Sequence, residues 1–532
     1  MKEKKTLITS TRLISAATLA SRVLGFIRDV VIAKFFGTTL GAQAFVVAFR
    51  IPNLLSSVVG ESSVNSAVVP VLSHLREKGQ TAQFWQVSRR LLTVFLLLLG
   101  AIVLLGEAGA SYLVKIAAPG FIAEPETFAL TVRLIRMMFP CVFFIGLVAY
   151  AMAVLNSLRH FTLPALAPCM MNIGLIASVF LLASRLTEPV EALAWGVLAG
   201  GALQVLIQVP MLWTGLFTQG RGKPLEGVSG EIRKIIKLMI PRTLGIAVYQ
   251  ANVFVDTILA TFSGIVGQGA VAALYYANRL VQFPLSLFAI ALSQVATPVF
   301  SSMVCRRDIA QLKESMSFTL RSVFVMMVPA TAGLMVLASP LIKIIFERGS
   351  FTAYSTRITS CSLLFYSLAL TGYAGVKVLG SCFYAFHDTV TPVKAAGIAL
   401  GINVLLNVIL MWPLKVAGLA LATSVSVTVN FLFLLAMLSR KIGRVEGLWI
   451  SFGRVSLAAG VMSAVLWLMF YRGFFILAGA FGSARVKGEN LPLLCGWLLL
   501  SIAAALLVYW GALKVFAREE EEIFSGWITG RK

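Results

Sequence analysis

Long apolar runs recur along the chain from Leu13 to the C-terminus, each about twenty residues and separated by short polar, often basic, stretches. The runs are rich in Leu and Ala, hold scattered Gly and Pro, and lack period-two alternation. A bilayer core of ~30 Å needs about 20 apolar helical residues, so these runs predict transmembrane helices and not barrel strands. Fourteen spans are expected, near 10–36, 41–72, 88–113, 128–157, 163–184, 191–216, 235–262, 270–302, 315–339, 356–385, 391–411, 416–438, 452–471 and 492–515. The expected fold is an all-α polytopic membrane protein.

The basic stretches set the orientation. Arg76, Lys78, Arg89 and Arg90 follow span two; Arg221, Lys223, Arg233, Lys234 and Lys237 follow span six. Arg306, Arg307 and Lys313 follow span eight, and Arg440, Lys441 and Arg444 follow span twelve. Connections on the other side are nearly free of positive charge: none in 37–40, none in 263–269 and one in 185–190. Positive residues stay inside, so both termini are expected in the cytoplasm of a bacterial inner-membrane protein. The run Arg518-Glu519-Glu520-Glu521-Glu522 reads as a solvated tail. The first span follows Lys2, Lys4 and Lys5 but carries Arg12, Arg22 and Arg28, so no cleavage as a signal peptide is expected.

The chain resembles itself at an offset near 228. Leu155–Pro164 aligns with Phe383–Pro392, Pro70-Val71-Leu72-Ser73 aligns with Pro298-Val299-Phe300-Ser301, and Arg50 pairs with Arg279 one position further. Six spans per repeat is an even number, so the two halves share one orientation, as in parallel-repeat transporters. The expected organisation is an N-terminal lobe over 1–220 (helices 1–6), a C-terminal lobe over 221–440 (helices 7–12), and two additional helices with a cytoplasmic tail over 441–532.

Composition narrows the function. Of 532 residues, 58% are hydrophobic and 13% charged, half the charged share of a soluble domain. The formal net charge of +23 would suggest nucleic acid in a soluble protein; here it reflects basic cytoplasmic loops facing anionic lipid, and no nucleic-acid partner is expected. The six cysteines are scattered with no CxxC and read as small buried hydrophobes. His74, His160 and His387 fall near loops or helix ends without a carboxylate cluster, so no transition-metal site is expected.

Charges inside spans carry the chemistry. Each costs about 2.5–3.5 kcal/mol at a helix centre on insertion scales and needs a reason. Span one holds Arg22, Arg28 and Asp29; span two Arg50 and Glu61; span seven Asp256; span eight Arg279; span ten Lys377. Arg28, Arg50 and Arg279 each lie nine residues inward from an extracytoplasmic end, roughly 13–14 Å deep at ~1.5 Å per residue. A side chain reaching some 6–7 Å cannot bring them to water. Guanidinium groups from both halves at one level, in a wet chamber, would present planar forks to phosphate oxygens. The alternative is that they pair with Asp29, Glu61 or carbonyls and only join helices. A second constellation, Asp256 with Asn403, Asn407 and Thr423, offers oxygens suited to Na⁺; interhelical hydrogen bonding explains it equally well. Prolines within spans (Pro52, Pro70, Pro140, Pro284, Pro298, Pro329) permit bends, and Gly25 is expected to give span one a flexible middle.

At these residues the sequence resembles the MurJ (MviN) family of lipid II flippases, within the multidrug/oligosaccharidyl-lipid/polysaccharide exporter superfamily. The resemblance rests on Ser21-Arg22-Val23-Leu24-Gly25-Phe26-Ile27-Arg28-Asp29, Ala48-Phe49-Arg50-Ile51-Pro52-Asn53-Leu54-Leu55, Ala118-Pro119-Gly120-Phe121, Tyr275-Tyr276-Ala277-Asn278-Arg279-Leu280 and Thr391-Pro392-Val393-Lys394. It implies two six-helix lobes, a lipid-tail groove from the last two helices, and a cationic cavity for a diphosphate-sugar-peptide head group. Arg22, Arg28 and Arg279 match the family's essential arginines, Asp29 and Glu61 match its acids, and Arg50 stands where it has a basic residue. Gln43, Ser56, Ser57 and Asn278 depart from its pattern, which alters the charge pattern of the cavity.

The implied function is transport of lipid II, the undecaprenyl-diphosphate-linked disaccharide-pentapeptide, from the inner to the outer leaflet by alternating access. The alternative is a flippase or exporter for another polyprenyl-diphosphate-linked glycan. No cofactor is needed; Na⁺, H⁺ or the membrane potential would reset the carrier. Expected partners are the lipid-linked precursor, membrane lipids and cell-wall synthesis proteins. A cation-drug exporter would carry an acidic, aromatic cavity, which four arginines argue against. A membrane glycosyltransferase would need paired acids, a metal motif or a soluble domain, and no loop exceeds about 25 residues.

Overall fold

The computed structural model describes residues 2–59, 61–216, 228–473 and 491–529. They are helical throughout, with no strand among them. The first half comprises α1 (Lys2–Phe36), α2 (Leu40–Val59), α3 (Glu61–Glu77), α4 (Thr81–Ala108), α5 (Ala110–Ala117), α6 (Pro125–Met138), α7 (Cys141–Ser157), α8 (Thr162–Leu182) and α9 (Glu191–Thr214). The second comprises α10 (Val228–Ala260), α11 (Ser263–Val266), α12 (Ala270–Pro284), α13 (Ile290–Arg306), α14 (Ile309–Val336), α15 (Ala338–Phe346), α16 (Ala353–Ser367), α17 (Leu370–Ala385), α18 (Val390–Leu414) and α19 (Val416–Ile442). Then come α20 (Leu448–Trp467), α21 (Leu491–Phe516) and α22 (Arg518–Thr529).

The repeat seen in the sequence is written into these boundaries. α4 and α14 are both 28 residues long and begin 228 positions apart; α8 and α18 begin 228 positions apart as well. α5 and α15, α6 and α16, and α7 and α17 match to within one or two residues at the same offset. The backbone turns between helices repeat too. Arg159 (φ 61°) and His387 (φ 57°), and Gly79 (φ 72°) and Arg307 (φ 58°), adopt the left-handed conformation 228 residues apart. A non-glycine residue rarely takes that conformation, so its recurrence marks a shared turn and not chance apolar similarity. Side-chain caps fix some of the starts: Asp308 accepts from the Gln311 N–H at 2.9 Å, and Asp388 from the Thr391 N–H at 3.0 Å.

Ten helical stretches among the described residues are long and apolar enough to cross a bilayer, or eleven when α16 and α17, bent by 43°, count as one span. That is fewer than fourteen. The other three expected spans fall on α1, on α2 with α3, and on α10. Those helices carry Arg22, Arg28, Asp29, Arg50, Glu61 and Asp256, which lower their apolarity.

Several long runs are broken. The expected 88–113 run splits into α4 and α5 at Gly109. The 270–302 run becomes α12 and α13 joined by a π-helical segment, Leu285–Ala289. Pro284 stands just before it: a proline ring removes one N–H and crowds the carbonyl four residues back, which a widened turn relieves. α1 runs unbroken through Gly25. Cys305 and Cys361 are exposed, contrary to the buried reading, while Cys141, Cys169 and Cys382 are buried.

Compactness divides the chain into Met1–Gly264 with Arg348–Phe351, and Ile265–Glu347 with Thr352–Lys532. In the first unit α8 packs against α1 and α9, α7 against α3, and α2 against α6. α10, which the sequence assigns to the C-terminal lobe, packs there too, against α2, α3 and α4. In the second unit α18 packs on α19, α12 on α16, α13 on α17, and α20 on α14 and α21.

The acidic run at the C-terminus is not a solvated tail. It opens α22, where Glu520 is fully buried and pairs with Arg321 of α14 at 2.6 Å. Glu519 also meets Arg321, and the Trp510 indole N–H donates to Glu521 at 2.6 Å. Phe524 packs edge-on to Tyr509, and Trp527 to Phe288 in the π segment. Phe524 and Trp527, two and five positions past the last glutamate, give this stretch an apolar face that closes on α14 and α21.

Candidate functional site

In the first unit, Arg28 sits about two turns before the C-terminal end of α1 with its guanidinium held on two sides. Nε and Nη2 donate to Asp29 Oδ1 at 3.1 and 2.8 Å, and Nη1 donates to Asn172 Oδ1 of α8 at 3.0 Å. Asn172 is fixed in turn, because its amide nitrogen donates to the carbonyls of Ser21 (3.1 Å) and Pro168 (3.2 Å). A Cβ at Gly25 would stand 3.7 Å from that amide, an ordinary contact distance, so α1 and α8 pack side by side at this level. Asp29 is buried, and the Arg28 side chain is 12% exposed. A guanidinium has five N–H donors. Three are engaged by these two residues, so the fork is oriented yet keeps capacity for an anion.

Arg22, on the same helix, is exposed. Arg50 of α2 is half-buried, and its Nη1 donates to the Val253 carbonyl of α10 at 3.1 Å. That carbonyl also accepts from Thr257 at 2.8 Å. Asp256 is buried one turn further along α10. Glu61 opens α3, and its side chain lies outside the described residues.

In the second unit, Arg279 is exposed on α12. It stacks over the Tyr275 ring with Cζ 5.3 Å from the centroid, and Nη2 donates to the Tyr275 hydroxyl at 3.3 Å. The carboxylate of the expected cation site and its amide and hydroxyl residues fall in different units. Asp256 belongs to the first, and Asn403, Asn407 and Thr423 to the second. The latter three are buried and bonded in series. Asn407 donates to Asn403 Oδ1 (2.9 Å), Asn403 to Thr423 Oγ1 (3.3 Å), and Thr423 to the Leu419 carbonyl (3.0 Å). The series joins α18 to α19.

Two residues at the arginines escaped the sequence reading. Asn172 was legible as an amide in the middle of the apolar run Leu163–Leu182, where an unpaired polar group is costly. Tyr275 was legible as an aromatic residue one helical turn before Arg279.

Chemically, the arrangement is a set of permanently charged forks on helices otherwise built to be apolar. Among the described residues no group of His, Cys, Asp and Glu could hold a metal ion. The arrangement can bind and release an anion.

A family model described as "Lipid II flippase MurJ" matches residues 32–477. The chain is 34% identical to the lipid II flippase MurJ of Burkholderia cenocepacia over 84% of its own length and 88% of the relative's. Among solved structures it is similar to a lipid II flippase MurJ in an inward closed conformation. That similarity has a TM-score of 0.75 and 27% identity, over 95% of this chain and 99% of the other. An inward-facing multidrug resistance MATE-family transporter shares the fold at a TM-score of 0.67 and 12% identity, covering 81% of this chain and 97% of that one.

Proposed function

This chain belongs to the MurJ family of lipid II flippases, and we propose that it moves lipid II from the inner to the outer leaflet by gripping the diphosphate with its in-span arginines. It is a multi-pass membrane protein. Its place is the bacterial inner membrane, with both termini in the cytoplasm, as the loop charges require.

The observation that carries the residue assignment is the Arg28 guanidinium, fixed by Asp29 and Asn172 with donors to spare. A binding arginine must be oriented before its ligand arrives, or ordering it erodes the affinity gained. Asp29 lowers the cost of holding a cation inside the span while the substrate is away. A diphosphate then completes the fork, and the isoprenoid tail stays in lipid throughout. Arg22 and Arg50 in the first unit, and Arg279 in the second, are further guanidinium groups for phosphate and sugar oxygens. Transport needs no covalent step; the two half-repeats alternate in exposing the site, and an ion gradient or the membrane potential resets it. The buried Asn403–Asn407–Thr423 series serves better as helix-joining hydrogen bonds than as an open cation site, since its members already bond one another.

The test is complementation. Arg28→Ala at normal membrane abundance should leave lipid II accumulating on the cytoplasmic leaflet of cells that depend on this protein. Normal growth with normal leaflet distribution would refute the assignment.

A further inference from the structure

The C-terminal end of α1 is capped from far along the chain. Helices leave their last four carbonyls without intrahelical partners. Here Gly37 N–H donates to the Ala33 carbonyl at 2.8 Å, and Thr39 N–H to the Phe36 carbonyl at 3.2 Å. The two between are taken by one residue. Ser350 donates its N–H to the Lys34 carbonyl and its hydroxyl to the Phe35 carbonyl, both at 2.9 Å. Ser350 lies in the connection between α15 and α16, which belongs to the second repeat by sequence and to the first compact unit by packing.

The approach is close on both sides. Gly37 and Gly349 are left-handed, with φ of 53° and 59°. A Cβ at Gly37 would stand 2.2 Å from the Ser350 carbonyl oxygen, and one at Gly349 would stand 2.3 Å from that of Lys34. Phe351 beside them is fully buried.

The repeat supplies the counterpart. The α5–α6 connection belongs to the first repeat, and it meets the end of α10, the first helix of the second. Gly120 N–H donates to Thr261 Oγ1 at 3.1 Å, and a Cβ at Gly120 would stand 2.2 Å from the Thr261 carbonyl oxygen. The Ser263 hydroxyl donates to Glu124. Each repeat thus sends the same connection to close on the end of the other repeat's first helix, and both helix ends face the extracytoplasmic side by the charge bias.

We propose that these two reciprocal clasps are the outer latch of the transport path, and that both release when the head group leaves. The inference rests on the flippase reading, and the chemistry suits a latch. At the α1 clasp, backbone carbonyls capped by an exposed serine exchange readily with water, so that joint can open and reclose without unfolding α1.

The test uses full-length protein in liposomes with lipid II, in a background with Cys305 and Cys361 replaced by serine. Lys34→Cys with Ser350→Cys, and separately Glu124→Cys with Ser263→Cys, introduce pairs across each clasp. Oxidation of either pair is expected to lower lipid II flipping at least tenfold, and dithiothreitol to restore it. Cross-linked protein that flips at the reduced rate or faster would overturn the latch while leaving the flippase reading intact. Reduced, unlinked protein that moves no lipid II would overturn the flippase reading, and the latch with it.

Discussion

The Arg28 guanidinium donates to the Asn172 side-chain carbonyl at 3.0 Å while the Asn172 amide nitrogen donates to Ser21, seven residues before Arg28 on the same helix. One side chain of α8 therefore reads two turns of α1. It fixes both where the helix lies and where its charged group is aimed.

Asn172→Leu keeps the volume and removes both functions. A hydrogen bond to a charged group contributes about 1.5–3 kcal/mol. Flipping should therefore fall roughly tenfold or more, with protein abundance close to normal. Asn172→Asp, which still accepts from Arg28, should recover part of the activity. Initial rates of lipid II flipping in proteoliposomes decide it; equal rates for Asn172→Leu and the parent would remove Asn172 from the site.

The clamp at the C-terminus predicts an asymmetric response. Arg321→Met leaves Glu520 buried without its partner, and breaking a buried ion pair costs about 3–5 kcal/mol. Melting in detergent should drop by several degrees. Arg321→Met combined with Glu520→Gln should regain most of the loss, because no buried charge is stranded. A double variant as unstable as the single one would show that the pair itself, and not the stranded acid, sets the stability.

Asp388 gives a pH dependence. Its hydrogen bond from Lys441, at 2.6 Å, and its capping bond from Thr391 hold its carboxyl down at about 2. A carboxyl with a lowered folded-state pKa stabilises the fold fully above its ordinary value near 4 and loses that contribution as pH falls towards 2. The parent should therefore lose stability more steeply than Asp388→Asn between pH 4 and pH 3. Differential scanning in detergent at the two pH values reads this, and parallel curves would contradict it. The effect is small, since Lys441 is half-exposed and water screens the pair.

Gly106 predicts a steric loss. A Cβ there would fall 1.8 Å from Phe139 Cε1, so Gly106→Ala forces α4 away from the α6–α7 corner. Overpacking costs about 1–3 kcal/mol. Adding Phe139→Leu should restore much of it, as thermal melts of the single and double variants would show.

Much of this architecture was legible along the chain. The periodic apolar runs placed the helices, and the 228-residue offset noticed at Leu158-Arg159-His160 and Phe386-His387-Asp388 proved to mark a shared left-handed turn. The in-span arginines stood out because charge is rare there. What the sequence could not show were contacts made at long range. Ser350 against Lys34 pairs residues more than three hundred positions apart, and nothing local in either announces the other. The acidic run misled for a related reason. Four consecutive glutamates read as solvated, and only the approach of Arg321 from α14 makes burying one of them tolerable. Asn172 beside Gly25 is a neighbour of the same long-range kind.

The most direct measurement is the equilibrium binding of lipid II to the purified full-length protein in detergent, comparing the parent with Arg28→Lys and Arg279→Lys. Lysine keeps the charge but loses the planar two-pronged fork. Each substitution is predicted to weaken binding about tenfold or more. Unchanged dissociation constants for both would contradict the assignment of the diphosphate to these guanidinium groups.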